Sequence, residues 1–188
     1  HDFDVETSLF DRGFWHLYYQ NSQSSQDHQE NRLNAKGDRS FRTRYATFDN
    51  KSYGLGAEFT KALAQNERIF HNFTYGLNYR HNNVSTERSG NTINIATGQS
   101  IETEKFPNKS FPDSNIKELG IFLQDRISLF DGQFEVIAGI RFDHYKLDPK
   151  SGTAFETANN VAPPSAISKG QFSKRLAFLW HPTEENTL

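Results

Sequence analysis

The 188-residue sequence contains no Cys and no Met. Without thiols there can be no disulfide framework, thiolate metal site or cysteine nucleophile. Long apolar stretches are missing too. Runs such as Leu176-Ala177-Phe178-Leu179-Trp180 stop at five residues, whereas a membrane-spanning helix needs roughly twenty. Transmembrane helices are therefore excluded. Nor does one sign of charge dominate, since 21 Lys and Arg stand against 23 Asp and Glu, interspersed, for a formal net charge of −2. No basic stripe is available to neutralise a phosphate backbone, so nucleic acid is not an expected partner. The chain opens on His1-Asp2-Phe3-Asp4-Val5 without a charged-then-apolar leader, and His181 to Leu188 read as a turn into a further element. It reads as an internal piece of a longer protein.

What is abundant is aromatic side chains, 17 Phe, 7 Tyr and 2 Trp, and most fall at every second position of long segments. Period two marks β-strands. From Phe41 onward, Tyr45, Thr47, Tyr53, Leu55, Ala57 and Phe59 alternate with Gly54, Gly56, Glu58 and Thr60. Phe73, Tyr75, Leu77 and Tyr79 alternate with Thr74, Gly76, Asn78 and Arg80. Leu119, Ile121 and Leu123 oppose Glu118, Gly120, Phe122, Gln124 and Arg126, while Phe134, Val136, Ala138, Ile140 and Phe142 oppose Glu135, Ile137, Gly139, Arg141 and Asp143. Leu176, Phe178 and Trp180 form a last stripe, and Phe3, Val5, Leu9 and Trp15, Leu17, Tyr19 give two early ones. The pattern predicts antiparallel strands near 1–10, 14–22, 41–62, 70–86, 116–129, 133–147 and 171–181, with an eighth starting at Leu188.

Connections alternate in length. Short turns are expected at Asp11-Arg12-Gly13, around Ala64 to Arg68, at Phe130 to Gln133 and at Pro182 to Asn186. Polar loops are expected over roughly 22–40, 83–115 and 148–170. Strands with one apolar and one polar face, short turns at one end and long loops at the other are the pattern of an outer-membrane β-barrel. A soluble sheet also shows period two, but a strand over 41–62 would extend about 70 Å at ~3.3 Å per residue, far beyond a usual globular strand. The fold class is thus all-β, an antiparallel up-and-down segment of about seven strands from a large transmembrane barrel. Asp125 alone breaks the outward face of its strand.

The chemistry-bearing residues do not assemble an enzyme. The seven His show no His-x-His or His-x-x-x-His pair, so no metal site is expected. His28, in the expected loop Ser22 to Ser40, and His144-Tyr145, near a strand end, are the candidates for ligand contact. Packing or solvation is the commoner use of such residues. Glu184-Glu185 and Glu102/Glu104 read as solvated acids, and Arg42/Arg44 and Asp38/Arg39 as charged loop and strand-end residues. No catalytic residues are assigned. Glu58, Arg80, Glu118, Arg126, Glu135 and Arg141 fall on the polar face and predict charged ladders lining a lumen, paired because lone charges there are costly.

Phe106-Pro107-Asn108-Lys109-Ser110-Phe111-Pro112-Asp113-Ser114, followed by Gly120-Ile121-Phe122-Leu123-Gln124-Asp125-Arg126-Ile127, resembles TonB-dependent outer-membrane receptors of the haem, haemoglobin, transferrin and lactoferrin group. Gly139 to Leu147, Thr47 to Leu55, Phe73 to Tyr79 and the turn from His181 are similar to further strands and a periplasmic turn of the same receptors. The resemblance covers most of the chain except 22–40, 88–105 and 150–168. It implies a multi-pass barrel in the bacterial outer membrane, about 22-stranded when complete, with residues 1–188 forming part of the barrel domain. The plug domain, TonB box and C-terminal aromatic strand of such receptors are not found in the sequence. It further implies outer-membrane lipid, TonB and the plug as partners, and haem or a haem protein as transported ligand rather than as resident cofactor. The Phe-Leu-Gln-Asp strand also recurs in siderophore receptors, so a ferric siderophore is the alternative cargo. A non-transporting adhesive barrel and a soluble carbohydrate-binding sandwich are alternatives of other classes. In haem receptors an Arg-Ala-Pro motif and a His-bearing haem loop follow the turn at which this sequence stops, so the resemblance places no haem ligand within it.

Overall fold

The structure, a computed structural model, describes residues 1–33, 37–66, 68–101 and 104–182. It consists of one antiparallel sheet with strands in chain order: β1 (Asp2–Asp4), β2 (Arg12–Leu33), β3 (Arg39–Asn66), β4 (Ile69–Asn94), β5 (Ser114–Leu129), β6 (Phe134–Pro149) and β7 (Ile167–Trp180). A short helix, α1 (Thr153–Asn159), lies between β6 and β7. The up-and-down arrangement agrees with the alternation, and several boundaries differ from the expected ones. Strand 1–10 shrinks to Asp2–Asp4 because Thr7 Oγ1 accepts hydrogen bonds from the Leu9 and Phe10 amides and turns the chain. Arg12 and Gly13 belong to β2, so that connection runs from 5 to 11.

The largest difference concerns the loops expected over 22–40 and 83–115. Most of 22–40 is strand, with β2 and β3 paired from Arg12↔Thr60 to Leu33↔Arg39, and β4 continues to Asn94 alongside Ser40. Ladder bonds use only the backbone, so Ser-, Asn- and Gln-rich sequence without an apolar stripe still pairs. At about 3.3 Å per residue β3 is roughly 90 Å long. Beyond Val84 the far edge of β4 is met by the returning segment through Arg88↔Asn108 and Ile93↔Ser100. The 148–170 connection contains α1, in which Phe155 is buried and Asn159, donating to the Lys109 carbonyl at 3.0 Å, fastens the helix to the 104–113 segment. The turn at Phe130 to Gln133 forms as expected, with Phe130, Asp131 and Gly132 at φ 54°, 55° and 87°. Residues from Thr183 on, with the expected eighth strand at Leu188 and Glu184-Glu185, lie outside the described residues, as do Glu67 and Glu102.

Nothing packs on either face to make a conventional core. Ile137 and Phe155 are the buried apolar side chains among the described residues, while Leu17, Ile121, Ile140, Leu176 and Phe178 are exposed. The accessible surface is 13305 Å², whereas a compact protein of this mass would expose about 9,200 Å². The excess is the signature of a sheet whose apolar side needs lipid.

Directly paired residues share a face, and the pairings trace the apolar belt. On β2 it centres on Leu17, which pairs with Leu55; on β7 it centres on Phe178, which leads through Val136, Ile127 and His71 to Leu63. The belt therefore descends from Leu55 to Leu63, about 26 Å, over five strand steps totalling about 24 Å, a slope of about 45–50°. Strands of membrane barrels tilt by a similar angle. Asp125, paired directly with Ala138, lies close to the belt's centre line on its strand, and its charge is met by a neighbouring side chain. Its carboxylate accepts from His71 Nδ1 at 2.7 Å, and His71 and Lys61 sit at the belt's lower border. Lys117, His144, Lys146 and Lys174 mark its upper border, where long or polar tips reach the interface.

Two outcomes follow. Ile140→Arg, one row from the belt's centre, should destabilise the protein by about 2–4 kcal/mol in a denaturant titration in lipid vesicles, whereas Gln171→Arg on the polar face should change it by under about 0.5 kcal/mol. The second concerns Asp11, whose carboxylate accepts from Lys61 Nζ at 2.5 Å and the Ala62 amide at 2.8 Å. These bonds hold its pKa below the ordinary aspartate value, the Lys61 bond foremost. The anchoring is therefore complete above the unfolded pKa of about 3.9 and disappears as pH falls through the lower folded value. Pepsin cleavage at Leu9-Phe10 should be slower in the wild type than in Asp11→Asn at about pH 5, and the two rates should converge below the folded pKa.

Candidate functional site: the polar face and its outer arms

The polar face is built from the residues whose parity opposes the belt. On β2, Phe14, His16 and Tyr18 stack along the strand, with centroids 6.2 Å apart at 14° and 19°. They lie flat because β3 presents glycines beneath them. A Cβ at Gly56 would overlap the His16 ring, and one at Gly54 would overlap the Tyr79 carbonyl and come within 2.9 Å of the Tyr18 ring. Across the same rows, Arg80 on β4 pairs with Glu118 on β5. Arg141 on β6 grips Asp143 with Nε at 2.9 and 2.8 Å and Nη2 at 2.7 Å, its guanidinium lying over Gly120. Arg126 reaches Glu135 at 3.4 Å. The expected charged ladders thus form, Glu58 excepted, which makes no ion pair with a described residue. A hollow of about 380 Å³ is lined by His16, Tyr18, Arg80, Glu118, Arg141 and Tyr145, among others.

A second cluster sits on the same parity further out along the arms. Arg42, with a side chain only 8% exposed, donates to Glu30 at 3.4 Å and to Glu104 at 2.9 Å, and Arg44 also donates to Glu104. Arg32 Nε approaches Glu30 at 3.0 Å and His28 Nε2 approaches it at 3.8 Å. Glu104 belongs to the β4–β5 connection, which therefore folds inward over the arms. Phe106 lies 3.3 Å from the position a Gly90 Cβ would take, and the Phe111 ring meets Phe48 edge-on at 6.1 Å.

These positions separate the three candidates read from the sequence. Tyr145 lines the hollow of the polar face, and His28 joins the arm cluster. His144 also borders that hollow but belongs by parity to the opposite face, at the belt's upper border, and bonds Ser168 Oγ at 3.0 Å. His81, assigned to the outward parity, does lie there and meets the Tyr53 hydroxyl at 2.6 Å. Arg42 and Arg44, expected as charged loop and strand-end residues, and Glu104, expected as a solvated acid, instead form a partly buried network. Among the described residues no three His, Asp or Glu gather to hold a metal ion, and no helix is long and apolar enough to cross a membrane.

The family model for TonB dependent receptor-like β-barrels matches residues 1–188. The chain belongs to this family of outer-membrane receptors, whose members are transporters rather than enzymes. A search of curated proteins found no match.

The glycine cradle gives a direct check. Gly54→Ala must displace backbone and should cost about 1–3 kcal/mol in denaturant titration. Gly139→Ala, whose Cβ would meet nothing closer than 3.5 Å, should be neutral or stabilise by up to about 1 kcal/mol.

Proposed function

We propose that the chain forms part of the barrel of an outer-membrane receptor that imports haem or haem-protein iron with energy delivered through TonB, its lumen filled by a plug domain. Family membership over residues 1–188 carries the transport reading. The two Phe-Pro pairs, Phe106-Pro107 and Phe111-Pro112, favour haem within the family, since they are the part of the resemblance not shared with siderophore receptors. The open sheet supports completion by further strands: β1 and β7 leave unpaired edges, and lipid offers their N–H and C=O groups no partner. A largely charge-paired polar face suits a lumen occupied by protein and water, where the ion pairs avoid the penalty of lone charges. His28 and Tyr145, on the lumen parity, and His144 at the outer border stand as candidate contacts. Import of a ferric siderophore is the second reading, favoured by Phe122-Leu123-Gln124-Asp125, a strand sequence common to such receptors.

A strain whose iron supply depends on the complete receptor separates these readings. Under iron chelation, growth on haemin or haemoglobin that is lost with TonB is the expected result. Growth on ferric siderophores alone would replace haem by siderophore as cargo, and TonB-independent or absent growth would remove the transport reading.

A further inference from the structure

Arg42 and Arg44 project from one strand, two residues apart, onto the same face, and a single carboxylate oxygen, Glu104 Oε1, accepts from both. A guanidinium fork matches a carboxylate best through two parallel bonds to two oxygens. Here that match is incomplete. Arg44 Nε is buried without a hydrogen-bond partner, a loss comparable to an unmade charged hydrogen bond. Arg42 is largely enclosed and shared between Glu30 and Glu104. Within the ion-paired cluster three arginines, Arg32, Arg42 and Arg44, share two carboxylates, Glu30 and Glu104, with His28 beside Glu30. Glu104, which holds both arginines, also lines a hollow of about 450 Å³, together with Gly90, Asn91, Thr92, Ser100, Ile101 and Phe106. That volume suits a small-molecule ligand.

We propose that Arg42 and Arg44 form a carboxylate-binding site that the chain's own Glu104 occupies, and that a carboxylate-bearing ligand entering the mouth displaces Glu104 and releases the β4–β5 connection from β3. A free carboxylate can orient to use Arg44 Nε as well as the Nη groups, whereas Glu104 is held by its tether. The displaced segment carries Phe106 and Phe111 with it, so ligand capture and opening of the connection are one event. The site is independent of which iron compound is transported.

The test uses the complete receptor in detergent, with glutarate as the probe, inorganic phosphate and chloride as comparison anions, and a fluorophore at Lys105→Cys reporting release. Glutarate should bind saturably and change the fluorescence, more weakly as salt is raised, and phosphate should bind less well than glutarate. Glu104→Gln should bind glutarate about tenfold more tightly, the factor for an internal competitor that occupies its site about nine-tenths of the time. Arg44→Gln should abolish both responses. If Glu104→Gln loosens the connection without raising glutarate affinity, the contact is a structural tie and the proposal fails. Equal response to phosphate and glutarate would overturn the carboxylate assignment. Should Glu104→Gln not fold, saturation of the wild type by glutarate and its loss in Arg44→Gln still decide the matter. Binding is read without transport, so this failure and failure of the import reading are distinguishable.

Discussion

The whole structure depends on lateral hydrogen bonding between antiparallel neighbours. With no layer packed on either face, the ladders are what hold each strand, and every other feature is hung on their register. A slip of one residue would carry Leu55, Phe59 and Tyr53 to the polar side and Glu58 to the lipid side. Local devices hold the register in place. The Phe130 to Gly132 turn fixes β5 against β6, the rings of Tyr18 and His16 seat over Gly54 and Gly56, and the Asp11–Lys61 bond ties the first connection to β3. The irregularity in the β3–β4 ladder falls at Ala64/Asn66, at the end of the strand and below the belt, where a shift turns over few side chains.

The parity of the faces was legible in the sequence because a lipid-facing strand must place an apolar side chain at every second position. Tyr53, Leu55, Phe59 and Ile140 announce their orientation for that reason. The extent of the strands was not legible. Above Lys51 and Asn83 neither face meets lipid, so Gln23, Ser25, Asn91 and their neighbours carry no alternation, and a paired polar arm has the composition of a loop. The helix at 153–159 was hidden because seven residues with one buried apolar side chain, Phe155, make no periodic signal. Period two did hold more about the site than was drawn from it. His144 and Tyr145 are consecutive in a strand and must point to opposite faces, while Arg42 and Arg44 must share one. Their partner Glu104 was beyond reach, since no local pattern ties residue 104 to residue 42.

The charges differ between the spanning region and the arms. On the polar face Arg80 and Glu118 sit opposite each other in register, Arg141 holds Asp143 on its own strand, and Arg126 leans toward Glu135. Pairs so close largely cancel one another's fields beyond the roughly 8 Å over which salt screens exposed charges. In the arms the charges gather differently: Arg42 and Arg44 converge on Glu104, and Arg32 and Arg42 on Glu30, so two carboxylates hold three guanidinium groups in one connected cluster.

Stability is divided in the same way. Within the belt, breaking a ladder bond exposes an amide and a carbonyl to lipid that can satisfy neither, so opening is strongly opposed. The 104–113 segment is fastened by a few contacts in water: the Arg88–Asn108 bridge, Glu104 on its two arginines, Phe106 above Gly90 and Phe111 against Phe48. Each partly exposed ion pair of this kind contributes about 1 kcal/mol or less, and the region has the low local stability from which moving parts of proteins are drawn. Asn159 of α1 donates to the Lys109 carbonyl and the Lys150 amide to the Asp113 carbonyl, so this segment is tied to the β6–β7 connection outside the belt. The mouth can then change shape while the register beneath it, and with it the separation of lipid face from polar face, stays fixed.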